Sequence, residues 1–144
     1  MSNPKCQLQR RRKLVKKLII CIILFASLIG FCSWEQYYID VTLDKMLEHI
    51  SVVQASIENN EVDLFNNDTM LHFDKMQKYW ESREATMSMF IDHKNLSQIG
   101  QGIARLKASI EENDYTLSIT EVYLLQEVTF VCQRISTFNL HNII

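Results

Sequence analysis

Glycine and proline are nearly missing from this chain of 144 residues: three glycines (Gly30, Gly100, Gly102) and one proline (Pro4). Sheet-rich folds need frequent tight turns, and tight turns draw on these two residues, so their scarcity excludes a strand-rich architecture and predicts an all-α chain. Cysteine is also sparse. Cys6, Cys21, Cys32 and Cys132 show no CxxC spacing, which excludes a zinc-ribbon or disulfide framework, and Cys21 and Cys132 read as small apolar packers. No glycine-rich phosphate loop is present, and His49, His72, His93 and His141 lack the HExxH spacing that places two ligands on one helix face. The residues therefore point to no cofactor, no metal centre and no enzymatic activity.

Acidic residues are absent from the first 34 positions. Lys5, Arg10, Arg11, Arg12, Lys13, Lys16 and Lys17 all precede Glu35, the first acid, although the formal net charge of the whole chain is only -2. Between the two charge blocks lies Leu18 to Trp34, LIICIILFASLIGFCSW, without a single charge. At about 1.5 Å per residue that run reaches about 25 Å as a helix, a little short of a hydrocarbon core of about 30 Å. Leu14 and Val15 extend it if Lys16 and Lys17 snorkel to the headgroups.

Trp34, Tyr37 and Tyr38 mark the far interface, and Arg12, Lys16 and Lys17 the near one. The positive-inside rule puts the N-terminus in the cytoplasm. The expected organisation is a basic cytoplasmic leader over 1–17, a transmembrane helix over 18–36 and an extracytoplasmic helical domain over 37–144. A cleaved secretory signal is the rival reading, but the apolar core is long for a signal, and Gly30-Phe31-Cys32-Ser33 is a weak cleavage site. Next to a span, the leader's cations meet anionic lipid headgroups before any nucleic acid, and no aromatic-interleaved platform supports a nucleic-acid partner.

Beyond the span, apolar residues recur at helical spacing. Ile39, Leu43, Met46, Ile50, Val53 and Ile57 alternate steps of four and three, a near-heptad stripe ending at Asn59 and Asn60. A second helix is expected between Val62 and Ile91, with Phe73, Met76, Trp80, Met87 and Phe90 or Ile91 on one face and Asn66 to Thr69 resembling a capping segment. A third is expected to open at Asn95, with Gln98 completing a capping box, and to bury Leu96, Ile99, Ile103, Leu106 and Ile110. Gly100 and Gly102 weaken its first turn or admit a neighbouring helix. Asn113 and Asp114 then separate a fourth helix, striped by Ile119, Val122, Leu125, Val128, Cys132 and Ile135, from which a tail over 136–144 packs back. Short connections between amphipathic helices predict an antiparallel four-helix bundle or two stacked helical hairpins.

The single span followed by Tyr37 and Tyr38, then Trp80, Phe90-Ile91-Asp92-His93, Ala104-Arg105-Leu106-Lys107 and Asn142-Ile143-Ile144, in that order and spacing, resembles the small bacterial membrane proteins grouped as domain of unknown function 4363. The resemblance implies a cell-membrane protein with a helical extracytoplasmic part, and it brings no activity. The arginine-rich leader with Cys6 departs from that pattern.

Trp80, Asp92, His93, Arg105 and Lys107 are the candidate interaction or switch residues. His93 is expected near the end of the second helix, where the helix dipole favours its cation. Arg105 and Lys107 are expected to flank the core and pair with acids such as Glu111. Asp68 and His72, four apart, are a weaker metal candidate than a solvated pair. Taken together, the residues favour a non-enzymatic anchored interaction module, either an accessory subunit of a membrane protein complex or a self-associating protein. A small-ligand sensor domain is the alternative, and a metal-dependent hydrolase a more distant one.

Overall fold

The computed structural model describes the backbone of residues 4–141 and the side chains of residues 14–136. The expectations for the leader residues Lys5, Cys6 and Arg10 to Lys13, for Leu140 and His141 as side chains, and for Asn142-Ile143-Ile144 lie outside the described residues. Four helices make up the fold: α1 (Pro4–Asn59), α2 (Asn67–Met87), α3 (His93–Glu111) and α4 (Tyr115–His141), with no strand among the described residues. The chain divides into two units, Met1–Glu35 and Gln36–Ile144.

The first unit is a stretch of helix whose apolar side chains have no protein to pack against. Leu18, Ile19, Ile20, Ile22, Ile23, Leu24, Phe25, Leu28, Ile29 and Phe31 are all exposed, on every side of the helix. Ser27 and Ser33 turn their hydroxyls back onto the Leu24 and Ile29 carbonyls, so neither presents an unsatisfied donor outward. This helix is long and apolar enough to cross a membrane.

The second unit is an up-down-up-down bundle, and three sets of cross-helix contacts close it. Between α1 and α2, Tyr79 donates to the Thr42 carbonyl at one level, and Ser56 meets Thr69 and Asp68 two to three turns further on. Gly102 and Leu125 of α3 and α4 touch at one level, Arg105 and Glu121 at the next, Ser109 and Ser118 at the last. Gln133 with Asp44, and Gln126 with Gln54, tie α4 back to α1. In each pair the residue numbers rise on one helix as they fall on the other, so the neighbours run antiparallel. Because α4 returns to α1, the helices form one closed bundle and not two stacked hairpins.

All six stripe residues of α1 and all five of α3 are buried, as their spacing predicts. Small polar residues set how closely helices approach. Ser118 donates to Ser109 at 3.0 Å and Ser109 to the Leu106 carbonyl, so this α3–α4 crossing is both tight and satisfied. Gly102 is the tightest point: a Cβ there would lie 2.9 Å from Leu125 Cδ1. Its partner glycine differs, because a Cβ at Gly100 would meet nothing.

Caps and loops fix the ends. Asn66 accepts from the Asp68 and Thr69 amides and opens α2, as the capping segment predicts. The two loops at one end of the bundle are clasped by Asn113. Its Oδ1 accepts from the Leu64 amide at 2.7 Å and its Nδ2 donates to the Val62 carbonyl, from a backbone in the left-handed region (φ 56) that asparagine tolerates. The clasp holds Leu64, fully buried although it lies in a loop.

Two boundaries differ from the sequence expectation. α3 opens at His93, not Asn95, because Asp92 takes the cap and accepts from the Lys94 amide. α4 does not give way to a tail at Ser136 but continues to His141.

Candidate functional site

The candidate residues do not converge on one site. Asp92 spends its carboxylate on the α3 cap. His93 is the first residue of α3 and exposed. It begins a helix and does not end one, so the benefit expected at a helix C-terminus does not apply to it. Arg105 pairs not with Glu111 but with Glu121 on α4, Nε to Oε2 at 2.9 Å, while Lys107 lies 4.0 Å from Glu111. Glu121 is 8% exposed. Arg105 keeps that carboxylate paired at the α3–α4 seam, a structural task. Lys16, Lys17, Trp34 and Tyr37 are exposed, and Tyr38 is half-buried with its ring 6.3 Å from that of Phe90.

Trp80 sits at the floor of a groove between α2 and α3, lined also by Gln77, Glu81, Glu84, Gly100, Ile103 and Lys107, with a volume of about 260 Å³. The indole is 2% exposed and its Nε1 has no hydrogen-bond partner. A buried donor in that state is uncommon. Gly100 keeps the groove open, since its missing side chain is what would occupy the space beside α2.

Elsewhere on the bundle, titratable groups are held by packing. Burial raises the Tyr79 hydroxyl above its ordinary pKa, with the Arg83 guanidinium 5.8 Å over the ring opposing it. Desolvation and the carboxylate of Glu61 raise Tyr115. Burial of Cys132 pushes its thiol up to about 11, which keeps it protonated and inert at neutral pH. His72 and Asp68 stand 3.5 Å apart on an open face, with Ser56 donating to the other Asp68 oxygen. Among the described residues, no three His, Cys, Asp or Glu side chains come together as a metal-binding group.

The largest feature is one the sequence stripe obscures. On α4, Leu117, Tyr123, Leu124, Phe130, Val131 and Ile135 are each 40–53% exposed. They point away from the core built by Val122, Leu125 and Cys132. Ile135, expected in the core, belongs to this outer face, and Ile119 and Val128 are only partly buried. Ser118 and Thr129 take the inward places instead, with Thr129 donating to the Leu125 carbonyl. Beside α1 the face deepens into a shallow groove of about 690 Å³ lined by Leu47, Thr120, Tyr123, Leu124, Gln126, Glu127 and Phe130. An amphipathic surface helix buries one stripe; α4 also carries these apolar side chains outward, in two rows separated by the exposed Thr120, Glu127 and Arg134.

The architecture is thus an antiparallel helical bundle preceded by a long apolar helix. Residues 33–143 match the family described as Domain of unknown function (DUF4363), and the chain belongs to that family. No curated protein and no solved structure matches the chain.

Proposed function

We propose that this protein is a membrane-anchored, non-enzymatic helical interaction module, an accessory subunit of a membrane protein complex or a self-associating protein of a bacterial cell membrane. The outer face of α4 carries the reading. Six large apolar side chains left 40–53% exposed on one helix are costly in water, at about 25 cal/mol for each Å² that a partner would cover. The anchor is supported by the helix of the first unit, apolar on every side, with cations before it and Trp34 after it. The same charge bias supports an N-terminus in the cytoplasm and a bundle outside it, with the leader against anionic headgroups.

A photoreactive residue placed at Leu124 of the full-length protein in native membranes tests the reading, with Gln98 on the exposed face of α3 as control. A discrete adduct is expected from Leu124 and none from Gln98. An adduct of twice the chain mass identifies a second copy, and another mass identifies a separate subunit. Equal or absent adducts at both sites would contradict the proposal.

A second reading, a small-ligand sensor, draws on the unpartnered Trp80 Nε1 in the α2–α3 groove. A ligand there would offer an acceptor to the indole N–H, and its binding is expected to shift Trp80 emission in a Trp34→Phe background. Emission unmoved across a panel of carboxylate and amino-acid ligands would count against it.

A further inference from the structure

We infer that the turn between α2 and α3, with Met89 at its tip, is a second lipid contact that seats one end of the bundle in the headgroup region of the bilayer. The inference rests on the anchored reading above and adds to it a residue-level contact.

Met89 is 76% exposed, and it is held outward. The amides of Ser88, Met89, Phe90 and Ile91 donate to the Glu84, Thr86 and Met87 carbonyls of the last turn of α2. Ile91 is buried directly beneath. An apolar tip on so well-bonded a turn is presented by the backbone and does not result from a loose loop. Beside it, the Phe90 ring stands edge-on to Tyr38, and Tyr37 is 68% exposed. The result is an apolar and aromatic rim built from one helix, α1, and one turn, the composition that suits the headgroup level.

Chain length and charge identify the surface that meets it. Tyr38 lies four residues after Trp34, so the two cannot be more than about 14 Å apart even along an extended backbone. Within the rim, Tyr37 and Tyr38 thus follow the end of the anchor at Trp34 by no more than four residues of chain.

The opposite end of the bundle also exposes apolar residues, Val62 at 90% and Phe65 at 56%. There, however, Glu58, Glu61, Asp63, Asp68, Glu111, Glu112 and Asp114 crowd two adjoining loops without a basic residue in either segment. At the Met89 end the acids are fewer, Glu35, Asp40, Glu84 and Asp92, with Asp92 engaged in the α3 cap and Asp40 accepting from Gln36, and His93 and Lys94 stand among them. An anionic lipid surface repels the first end and accepts the second.

The test uses full-length protein whose four native cysteines are replaced by serine, reconstituted into phosphatidylcholine–phosphatidylglycerol vesicles. Single cysteines at Met89→Cys, Val62→Cys and Ser27→Cys carry an environment-sensitive fluorophore, and a lipid spin-labelled near its headgroup is the quencher. Met89→Cys is expected to emit to the blue of Val62→Cys and to be quenched about twofold, as for a residue at the headgroup–acyl boundary, while Val62→Cys is unaffected. Emission from Met89→Cys like that of Val62→Cys, with Ser27→Cys shielded in lipid, would overturn this contact and leave the anchor standing. A water-exposed Ser27→Cys would overturn the anchor and this contact with it. A blue shift at Met89→Cys without lipid quenching would assign the tip to a protein partner and overturn the lipid assignment.

Discussion

Helices α3 and α4 face each other across Gly102 and Leu125, yet they end in opposite surfaces. Outside its buried stripe α3 shows Lys94, Gln98, Gln101, Arg105 and Glu111 to solvent, which is how a helix on the outside of a bundle satisfies water. Outside its own buried stripe α4 shows Leu117, Leu124, Val131 and Ile135, with Tyr123 and Phe130, among the exposed Thr116, Thr120, Glu127 and Arg134. The two helices share one core and one set of antiparallel contacts, so the core cannot be the reason for the difference. On the proposed reading, the outer residues of α4 answer to a partner and not to the bundle itself.

Neighbouring leucines on α4 give the widest separation. Leu125→Ala, at a fully buried position, is expected to lower bundle stability by about 2–5 kcal/mol, measured by denaturant unfolding. Leu124→Ser, one residue earlier and 46% exposed, is expected to change it by less than about 0.5 kcal/mol while abolishing the membrane photo-adduct reported from a probe at Val131. Loss of stability from both would dissolve the distinction between the faces.

The two glycines of α3 sharpen the comparison next. Gly102→Val drives a branched side chain into Leu125, already 2.9 Å from a bare Cβ, and is expected to cost about 1–3 kcal/mol. Gly100→Ala meets no atom and is expected to stabilise α3 by about 0.5–1 kcal/mol through helix propensity. Arg105→Ala follows, at about 1–3 kcal/mol, because Glu121 is left at the seam without its cation. Replacing Arg105 and Glu121 together by Met and Leu is expected to restore much of that loss.

The smallest effect is a pH dependence. Cys132, with its pKa raised from 9.0 to about 11, binds its proton more tightly folded than unfolded. Its contribution to stability is therefore complete below pH 9 and lost as the pH climbs to about 11. Cys132→Ala is expected to flatten that part of the stability profile, and the wild-type thiol to resist alkylation at pH 8 until denaturant is added.

Where a helix is apolar on one side only, the sequence reads clearly. Every stripe residue of α1 from Ile39 to Ile57, and of α3 from Leu96 to Ile110, is buried, because period and amphipathicity agree there. On α4 the same procedure places Ile135 inward and overlooks Ser118 and Thr129, since apolar residues on both sides leave the period without a single phase. The alternation of core and outer residues, Leu125 against Leu124, is set by packing on α3 and cannot be read from either residue alone.

Cap chemistry behaved similarly. Asn66 was legible, whereas Asp92 and Asn95 are both good caps three residues apart and only the turn at Met87–Ile91 selects the first. The site was less legible than the fold. Arg105 finds Glu121 sixteen residues away through the α3–α4 register, and the bare indole N–H of Trp80 leaves no mark in composition or spacing.

The central claim is that the outer face of α4 is covered when the protein is in its membrane. Single cysteines at Leu124 and at Gln98, in the chain freed of its native cysteines, can be timed against a membrane-impermeant maleimide in native membranes and again in a dissociating detergent. Leu124→Cys is expected to react about tenfold more slowly than Gln98→Cys in the membrane and to match it once detergent strips the partner away. Equal rates at the two positions in the native membrane would contradict the account.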